Sequence, residues 1–492
     1  MIASVPAGLA HLAPLVILAV WAALVLIVVS LFRKPGREVG YLAFFGTFLS
    51  AMSVLRLLRE GPAVSLFAGA LLVDRFSLLF TLLFLSAAGL AILTSIPMVE
   101  RDGKGLGEYY VLVLCSVVGM ILMASSESLL TLFIGLEILS ICLYVLTGFT
   151  REHKKSVESS LKYFLLGAFS TAFILYGMAL LFGVTRSIEL RSLARAFAVP
   201  ADAAVDPRAM LGMGLVLVGL AFKVGAAPFH FWVPDVYQGS PTPVAGFMAA
   251  GTKAAAVATI LRVFCTGFQG PGVEGGWVPL LTVLAILTMT VGNVVALAQT
   301  NIKRMLAYSS VAHAGYLLIG VVVTSSMGSR QAALSAIVYY LAGYVFMNLG
   351  AFGVASLLGK EAGEDGEEAH SLYGYSGLAR RRPVLAALMT LFMLSLTGIP
   401  PMAGFLGKFF LFRAAVDGKF YLLAVVGLLN SVIGAFYYLR VVVHMYMKES
   451  TTPSPGPALT AAEGISLGIA ALATLYLGLF PGWLLDMARS LL

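Results

Sequence analysis

Charge is what this sequence has least of: 11% of its residues are Asp, Glu, Lys or Arg, against roughly 25% in a soluble globular domain. With 60% hydrophobic residues, that scarcity excludes a water-soluble fold and marks an integral membrane protein. Cysteine is scarce too. Cys115, Cys142 and Cys265 fall within apolar runs and form no CxxC pair, which argues against an iron–sulfur cluster or a zinc site and for buried small hydrophobes. No pair of histidines has metal-ligand spacing. Nucleotide loops are missing as well. Gly212, Gly214 and Gly219 lie in a hydrophobic run without a preceding strand, a helix-packing pattern, and Gly251-Thr252-Lys253 lacks the upstream glycine of a phosphate loop. No cofactor or metal is therefore expected in this chain, and any work with NADH or ATP falls to another subunit. The net charge of +8 comes from cations at the ends of apolar runs, without a basic stripe interleaved with aromatics. It points to a membrane surface and not to nucleic acid.

What fills the chain instead is a succession of apolar runs, each near the 20 or so residues that cross a bilayer. About fourteen are legible, at 9–31, 39–58, 72–96, 107–124, 127–149, 157–184, 209–227, 244–267, 278–299, 303–324, 331–358, 384–412, 420–447 and 459–483. The fold class is an all-α membrane protein with no room for a soluble domain. The first run has no charged segment before it and no cleavage site after it, being followed by Arg33, Lys34 and Arg37, so it reads as a retained helix. An even number of spans puts both termini on one side. Connectors after odd-numbered spans hold about fifteen Lys and Arg against about ten in the others, which places the termini outside.

Against that background five charges stand out deep within apolar runs: Glu137, Lys162, Lys223, Lys253 and Lys408. Each costs roughly 2.5 to 3.5 kcal/mol to insert, so ion or proton traffic is the expectation, with static ion pairing as its alternative. Lys223 is followed by Gly225 and Pro228, and Lys408 is preceded by Gly398, Pro400 and Pro401. Proline frees backbone carbonyls that inside a bilayer need protein or water partners. Two broken helices, the seventh and the twelfth, one in each half of the chain, are the pattern of an inverted-repeat transporter. Glu137 in mid-span needs a cation, with Lys223 and Lys162 as candidates. His230 and His313 lie near spans seven and ten, where an imidazole can bridge lysines; His11, His153, His370 and His444 look peripheral. The connector from Gly359 to Arg382 carries an acidic cluster, Glu361 to Glu368, and then Arg380, Arg381 and Arg382, and reads as a solvated loop with a basic anchor.

Three stretches carry a family resemblance: APFHFWVPDVYQGSPTPVAGFMAAGTKAA at 227–255, KRMLAYSSVAHAGYLLIG at 303–320 and TGIPPMAGFLGKF at 397–409. They resemble the antiporter-like subunits of respiratory complex I and, in detail, its subunit N branch, over roughly 107–447. The resemblance implies fourteen helices with two inverted five-helix repeats: residues 1–106 for helices one to three, 107–267 and 278–447 for the repeats, and 459–492 for the last helix. It also implies a proton relay. Glu137 would be the fifth-helix glutamate, Lys223 its partner on the broken seventh helix and Lys162 the sixth-helix lysine. Lys253 would connect two half-channels, Lys408 would be the charge of the broken twelfth helix, and His230 and His313 would flank the hydrated axis. Lysine at 408 argues against the M branch, where glutamate is usual, and the absence of a long lateral helix argues against L.

The implied setting is a bacterial inner membrane, with the other membrane subunits (M, L, K, J and A) and a peripheral redox arm as partners. NADH, FMN, iron–sulfur clusters and quinone would sit on other subunits. Competing readings are a subunit of a cation/proton antiporter, a hydrogenase-type or F420-linked membrane complex, and a non-conducting scaffold.

Overall fold

The computed structural model describes residues 10–31, 36–60, 63–101, 107–198, 205–359, 370–449 and 458–489. Arg33, Lys34 and the acidic cluster lie outside these residues. The chain opens with α1 (Ala13–Leu31), α2 (Arg37–Glu60), α3 (Arg75–Arg101), α4 (Glu108–Ser125), α5 (Leu129–Thr147) and α6 (Lys154–Thr185). After a short α7 (Leu190–Phe197) come α8 (Pro207–Val224), α9 (Trp232–Gly239), α10 (Thr242–Phe247) and α11 (Lys253–Arg262). The second half holds α12 (Pro271–Leu297), α13 (Ile302–Val323), α14 (Arg330–Gly359), the single turn α15 (Leu378–Arg381), α16 (Pro383–Thr397) and α17 (Ala403–Asp417). It ends with α18 (Tyr421–Met447), α19 (Ala461–Leu479) and α20 (Gly482–Ala488).

Among the described residues thirteen segments are long and apolar enough to cross a membrane, and α16 with α17, 15 residues each, supplies the fourteenth crossing as a broken helix. The expected spans are all present. One element departs from the all-helical expectation: β1 (Val64–Leu66) and β2 (Leu71–Val73) pair antiparallel between α2 and α3. Three residues are too few for periodicity to reveal a strand.

Burial sorts the helices into an inner and an outer set. The α10–α11 segment, α13 and α14 are buried on nearly every side, so their sequences are apolar nearly all round, with a few buried charges such as Lys253 and Lys303. Outer helices turn apolar side chains outward, among them Val20, Phe45, Phe169, Val283, Val432 and Leu472, as lipid-facing surfaces do.

The two halves repeat a packing scheme. The first two helices of each half form a tight pair, α4 with α5 and α12 with α13, and the next partners are α6 with α8 and α14 with α16 and α17. Glycine makes the close approaches possible. A Cβ on Gly119 would come within 2.6 Å of the Gly135 carbonyl, and one on Gly315 within 2.5 Å of the Met289 nitrogen. Gly212 faces the Gly177 carbonyl in the same way, so part of the glycine series noted above packs helices.

Both broken helices stop by one device. At the end of α8, Gly225 (φ 76°) takes the left-handed conformation, with Gly225 N bonded to Phe222 O and Ala226 N to Ala221 O. At the end of α16, Gly398 (φ 92°) does the same, with Gly398 N on Ser395 O and Ile399 N on Leu394 O. Each is a Schellman stop, which glycine reaches without the Cβ clash other residues meet there.

The connector reading changes in its described second half. Leu372, Tyr375 and Leu378 are buried, Leu372 N bonds Thr300 O, and Gly377 N bonds His444 O. Residues 370–382 are thus docked onto α13 and α18 and are not a free solvated loop.

Candidate functional site

The buried lysines Lys253 and Lys408 sit where helix ends leave carbonyls without intrahelical partners. Trp232 Nε1 takes the Phe222 carbonyl at 3.1 Å, and Lys253 Nζ, from α11, takes the Val224 carbonyl at 3.3 Å. The same ammonium bonds the Ser310 carbonyl of α13 at 2.6 Å. At the second break Lys408 Nζ bonds the Leu396 and Thr397 carbonyls at 3.0 and 2.9 Å, and Ser431 Oγ at 2.9 Å. Both lysines are buried, at 4% and 5% exposure. Their charge is met by backbone carbonyls, several of them at the negative ends of helices, and by a hydroxyl rather than by carboxylates. Lys253 also follows a wide π-type turn at Met248–Thr252, a distortion frequent at functional sites.

Lys223 occupies the last turn of α8, on the opposite side of its break from Lys408. Its ammonium donates to Ser140 Oγ at 2.8 Å and lies 5.9 Å from the Tyr144 ring centre. Ser140 in turn donates to the Leu136 carbonyl, which fixes the acceptor. Glu137 stands one turn back on α5, half-buried, and accepts from Thr171 Oγ1 at 2.8 Å. The expected Glu137–Lys223 ion pair is therefore not made directly: among the described residues Ser140 holds the lysine and Thr171 holds the glutamate. Their separation along α5 is about 4.5 Å, within the sweep of a lysine side chain.

Lys162 departs from its expected depth. Its side chain is 43% exposed and pairs with Glu158 at 2.7 Å and Asp235 at 3.0 Å. Asp235 also meets Arg304 at 2.7 Å, so a chain of ion pairs ties α6, α9 and α13 together. It borders a surface cavity of about 170 Å³. Glu137 does not share this cluster.

His313 is buried between α14 and α18. Its Nδ1 meets Tyr340 Oη at 2.6 Å and its Nε2 meets Tyr438 Oη at 3.0 Å, while Tyr438 continues to Ser309. It lies on α13, three residues from the Ser310 that holds Lys253. On its other side Tyr316 is 5.8 Å from its ring centre, and Lys408 stands 5.3 Å over that tyrosine. The structure thus brings Lys253, His313 and Lys408 into one polar axis. Asn293 extends it: Tyr316 Oη accepts from Asn293 Nδ2 and Tyr437 Oη donates to Asn293 Oδ1, both at 3.0 Å. His230 stands apart in the first break, half-buried, its Nδ1 unpartnered and its ring 6.3 Å from Tyr308.

Sequence reasoning passed over three charged residues here. Lys303 is 4% exposed and donates to the Ser240 carbonyl just past α9 at 2.7 Å, a third lysine on a helix end. It opens its apolar run, where a snorkelling lysine is the default. Asp235 and Arg304 sit in the quoted motif stretches but next to prolines and run ends, where charge is unremarkable; no spacing signal marks them. His370, expected to be peripheral, is partly buried near Lys303. Burial, then that ammonium, hold its imidazole down at about 3, so it stays neutral beside the lysine.

Comparison with known proteins agrees with this layout. The family described as NADH:quinone oxidoreductase/Mrp antiporter, TM, matches residues 126–434. A protein named NADH-quinone oxidoreductase subunit N from Trichlorobacter lovleyi is 44% identical over 478 residues, 97% of this chain and 95% of that one. Another from Solibacter usitatus, named subunit N 1, is 46% identical over 438 residues, 87% and 85% of the two chains. A chain of respiratory complex I from Thermus thermophilus with bound aureothin superposes with a TM-score of 0.80 at 37% identity, over 97% of this chain and 99% of that one. In the Mrp complex from Dietzia sp. a chain reaches 0.85 at 20% identity, over 97% and 96%, a likeness of fold. Motifs, broken helices and relatives converge: the chain belongs to the NADH:quinone oxidoreductase/Mrp antiporter family of transmembrane subunits.

Proposed function

We propose that this chain is a membrane-arm subunit of an NADH-quinone oxidoreductase, equivalent to its relatives' subunit N, and that it carries protons along Lys223, Lys253, His313 and Lys408. NADH, FMN, iron–sulfur clusters and quinone belong to other subunits, which include the M-, L-, K-, J- and A-type membrane subunits and a peripheral arm. The membrane is the bacterial inner membrane, with both termini on its outer side. The working units are residues 107–267 and 278–447, related as inverted repeats, with 1–106 and 459–492 as flanking helices. The paired packing of the halves and their common Schellman stops support that division.

The observation that carries the reading is the seating of lysines on helix ends. An ammonium solvated by backbone dipoles has no fixed anion to discharge it, so its proton affinity follows the geometry of the break. Lys223 is poised between Ser140 and Glu137. Quinone reduction elsewhere would drive a shift that hands its ammonium from the serine to the glutamate, with Glu137 released from Thr171. Attraction to a carboxylate then holds the proton, and return to Ser140 releases it toward Lys253. His230 lines the same break, and Lys162, with Asp235, lies at its surface end. Each charge moved against 100 mV requires about 2.3 kcal/mol, well within what forming or separating a buried pair supplies.

The antiporter reading shares this fold, but the full-length relatives at 44% and 46% identity carry the oxidoreductase name. Purification of the tagged chain with its complex separates the two. Flavin, iron–sulfur signals and NADH:quinone reductase activity are expected; a redox-free complex exchanging cations for protons would defeat the proposal. In proteoliposomes Lys223→Ala is expected to abolish this subunit's coupled pumping, and full coupling in that variant would refute the relay.

A further inference from the structure

Four membrane-crossing segments end together on the face that carries the β1–β2 ribbon: one stops at Arg59, one starts at Arg75, one stops at Gly267 and one starts at Arg330. This is headgroup depth in a bilayer. Among these ends lies a cavity of about 690 Å³ whose charged lining is Arg59, Arg75, Arg191, Arg262 and Arg330. Asp74 and Glu127 also line it, and each is engaged. Asp74 meets the buried Arg262 at 2.5 Å, and Glu127 meets Arg191 at 2.8 Å. Arg330 spends one nitrogen on the Cys265 carbonyl. Among the described residues that line it, guanidinium groups outnumber carboxylates five to two.

The cavity is also amphipathic. Leu58, Leu72 and Phe76 form an apolar wall, and α2 leads into it along one outward face. Tyr41, Phe45, Phe48, Met52 and Leu55 are all exposed there, at the alternating spacing of three and four that keeps a single helical stripe. Four residues beyond Leu55 the stripe ends on Arg59. Apolar chains fit that stripe as they fit any lipid-facing helix, and a phosphate fits the arginine forks at its end.

We propose that this cavity binds the phosphate headgroup of an anionic phospholipid whose acyl chains lie along the Phe48–Leu55 part of α2. A free phosphate has use for the guanidinium groups alone; the stripe, continuous with them and at the right depth, selects a lipid. Guanidinium forks at the end of a lipid-facing stripe are suited to such headgroups.

The test uses the intact complex, purified in neutral detergent and stripped of bulk lipid. It is then exposed to phosphatidylcholine vesicles with and without phosphatidylglycerol, each lipid carrying a photoreactive acyl chain. Phosphatidylglycerol is expected to label α2 between Phe48 and Arg59 and to stay bound in native mass spectrometry. The double variant Arg59→Gln/Arg330→Gln is expected to weaken its retention by roughly thirtyfold, the effect of two interfacial charges. Equal labelling by phosphatidylcholine would mean ordinary boundary lipid and would overturn the proposal. So would displacement by inorganic phosphate without α2 labelling, or cross-linking of α2 to a neighbouring subunit instead. The wild-type labelling pattern decides the matter even if the double variant fails to assemble.

Discussion

Lysine is costly to bury, and the three deepest on the axis are made tolerable by oxygen dipoles. Lys253, Lys303 and Lys408 each bond at least one carbonyl at or next to a helix end, and Lys253 also bonds the Ser310 carbonyl within α13, so an ammonium is solvated without being neutralised. That distinction is testable by keeping charge and removing the exchangeable proton, since arginine does not deprotonate in proteins. Lys253→Arg is expected to leave an assembled complex that oxidises NADH but no longer moves this subunit's proton. Normal proton-to-electron ratios in reconstituted vesicles would show that Lys253 only fills space. The charges set within apolar runs, Lys223, Lys253 and Lys408, were legible in the sequence because a cation inside a membrane span needs a function or a partner. Lys303 was not, because its position in the primary sequence is that of a membrane anchor and only the docking of residues 370–382 over it reveals burial. The sequence offered Lys223 and Lys162 as partners for Glu137, yet Ser140 and Thr171, which hold Lys223 and Glu137 in the structure, are common helix residues with no pattern to announce them.

At the scale of the element, the two broken helices use one stop signal with the lysine on opposite sides of it. Lys223 precedes Gly225, whereas Lys408 follows Gly398 and folds back onto the carbonyls that the stop exposes. Glycine followed by proline made both breaks readable. What it did not disclose was which carbonyls are freed, since that depends on the hydrogen bonds of the Schellman turn. Gly398 sits at φ 92°, and a Cβ there would lie 3.2 Å from Lys408 Cδ. Gly398→Ala is therefore expected to strain the turn by about 1 to 3 kcal/mol and to push Lys408 off its acceptors. Proton translocation should fall while the complex still assembles, as read by native gel and vesicle acidification. Unchanged translocation would mean that the seat tolerates displacement. The β1–β2 ribbon escaped notice because its strands are too short for alternation to register.

Across the whole molecule, long contacts join the first helices to those that follow. Arg262, at the far end of the helix that begins with Lys253, is 1% exposed and reaches Asp74 at the start of α3, with the Ala124 carbonyl at 2.9 Å. Removing one partner strands a nearly buried charge, a loss of about 3 to 5 kcal/mol. Arg262→Leu is thus expected to lower the amount of assembled complex and its thermal midpoint, and Arg262→Leu with Asp74→Leu to recover most of it. If the double variant is as unstable as the single one, the pair is not what ties α3 to α11. Topology at this scale was the most legible feature, since hydropathy alone marks fourteen crossings; the pairing of helices had to be seen, because glycine contacts such as Gly119 with Gly135 are scattered letters until the chain folds. The lysine seats add a consequence for inheritance. An acceptor that is a main-chain oxygen has no codon of its own: Val224, Ser240, Ser310, Leu396 and Thr397 are free to drift to other residues without touching the oxygen that matters. For those bonds the acceptor is recorded only in the path of the backbone, so comparison of letters will find the lysines and pass over the carbonyls, whereas Ser140 and Ser431 hold theirs through side chains that comparison can see.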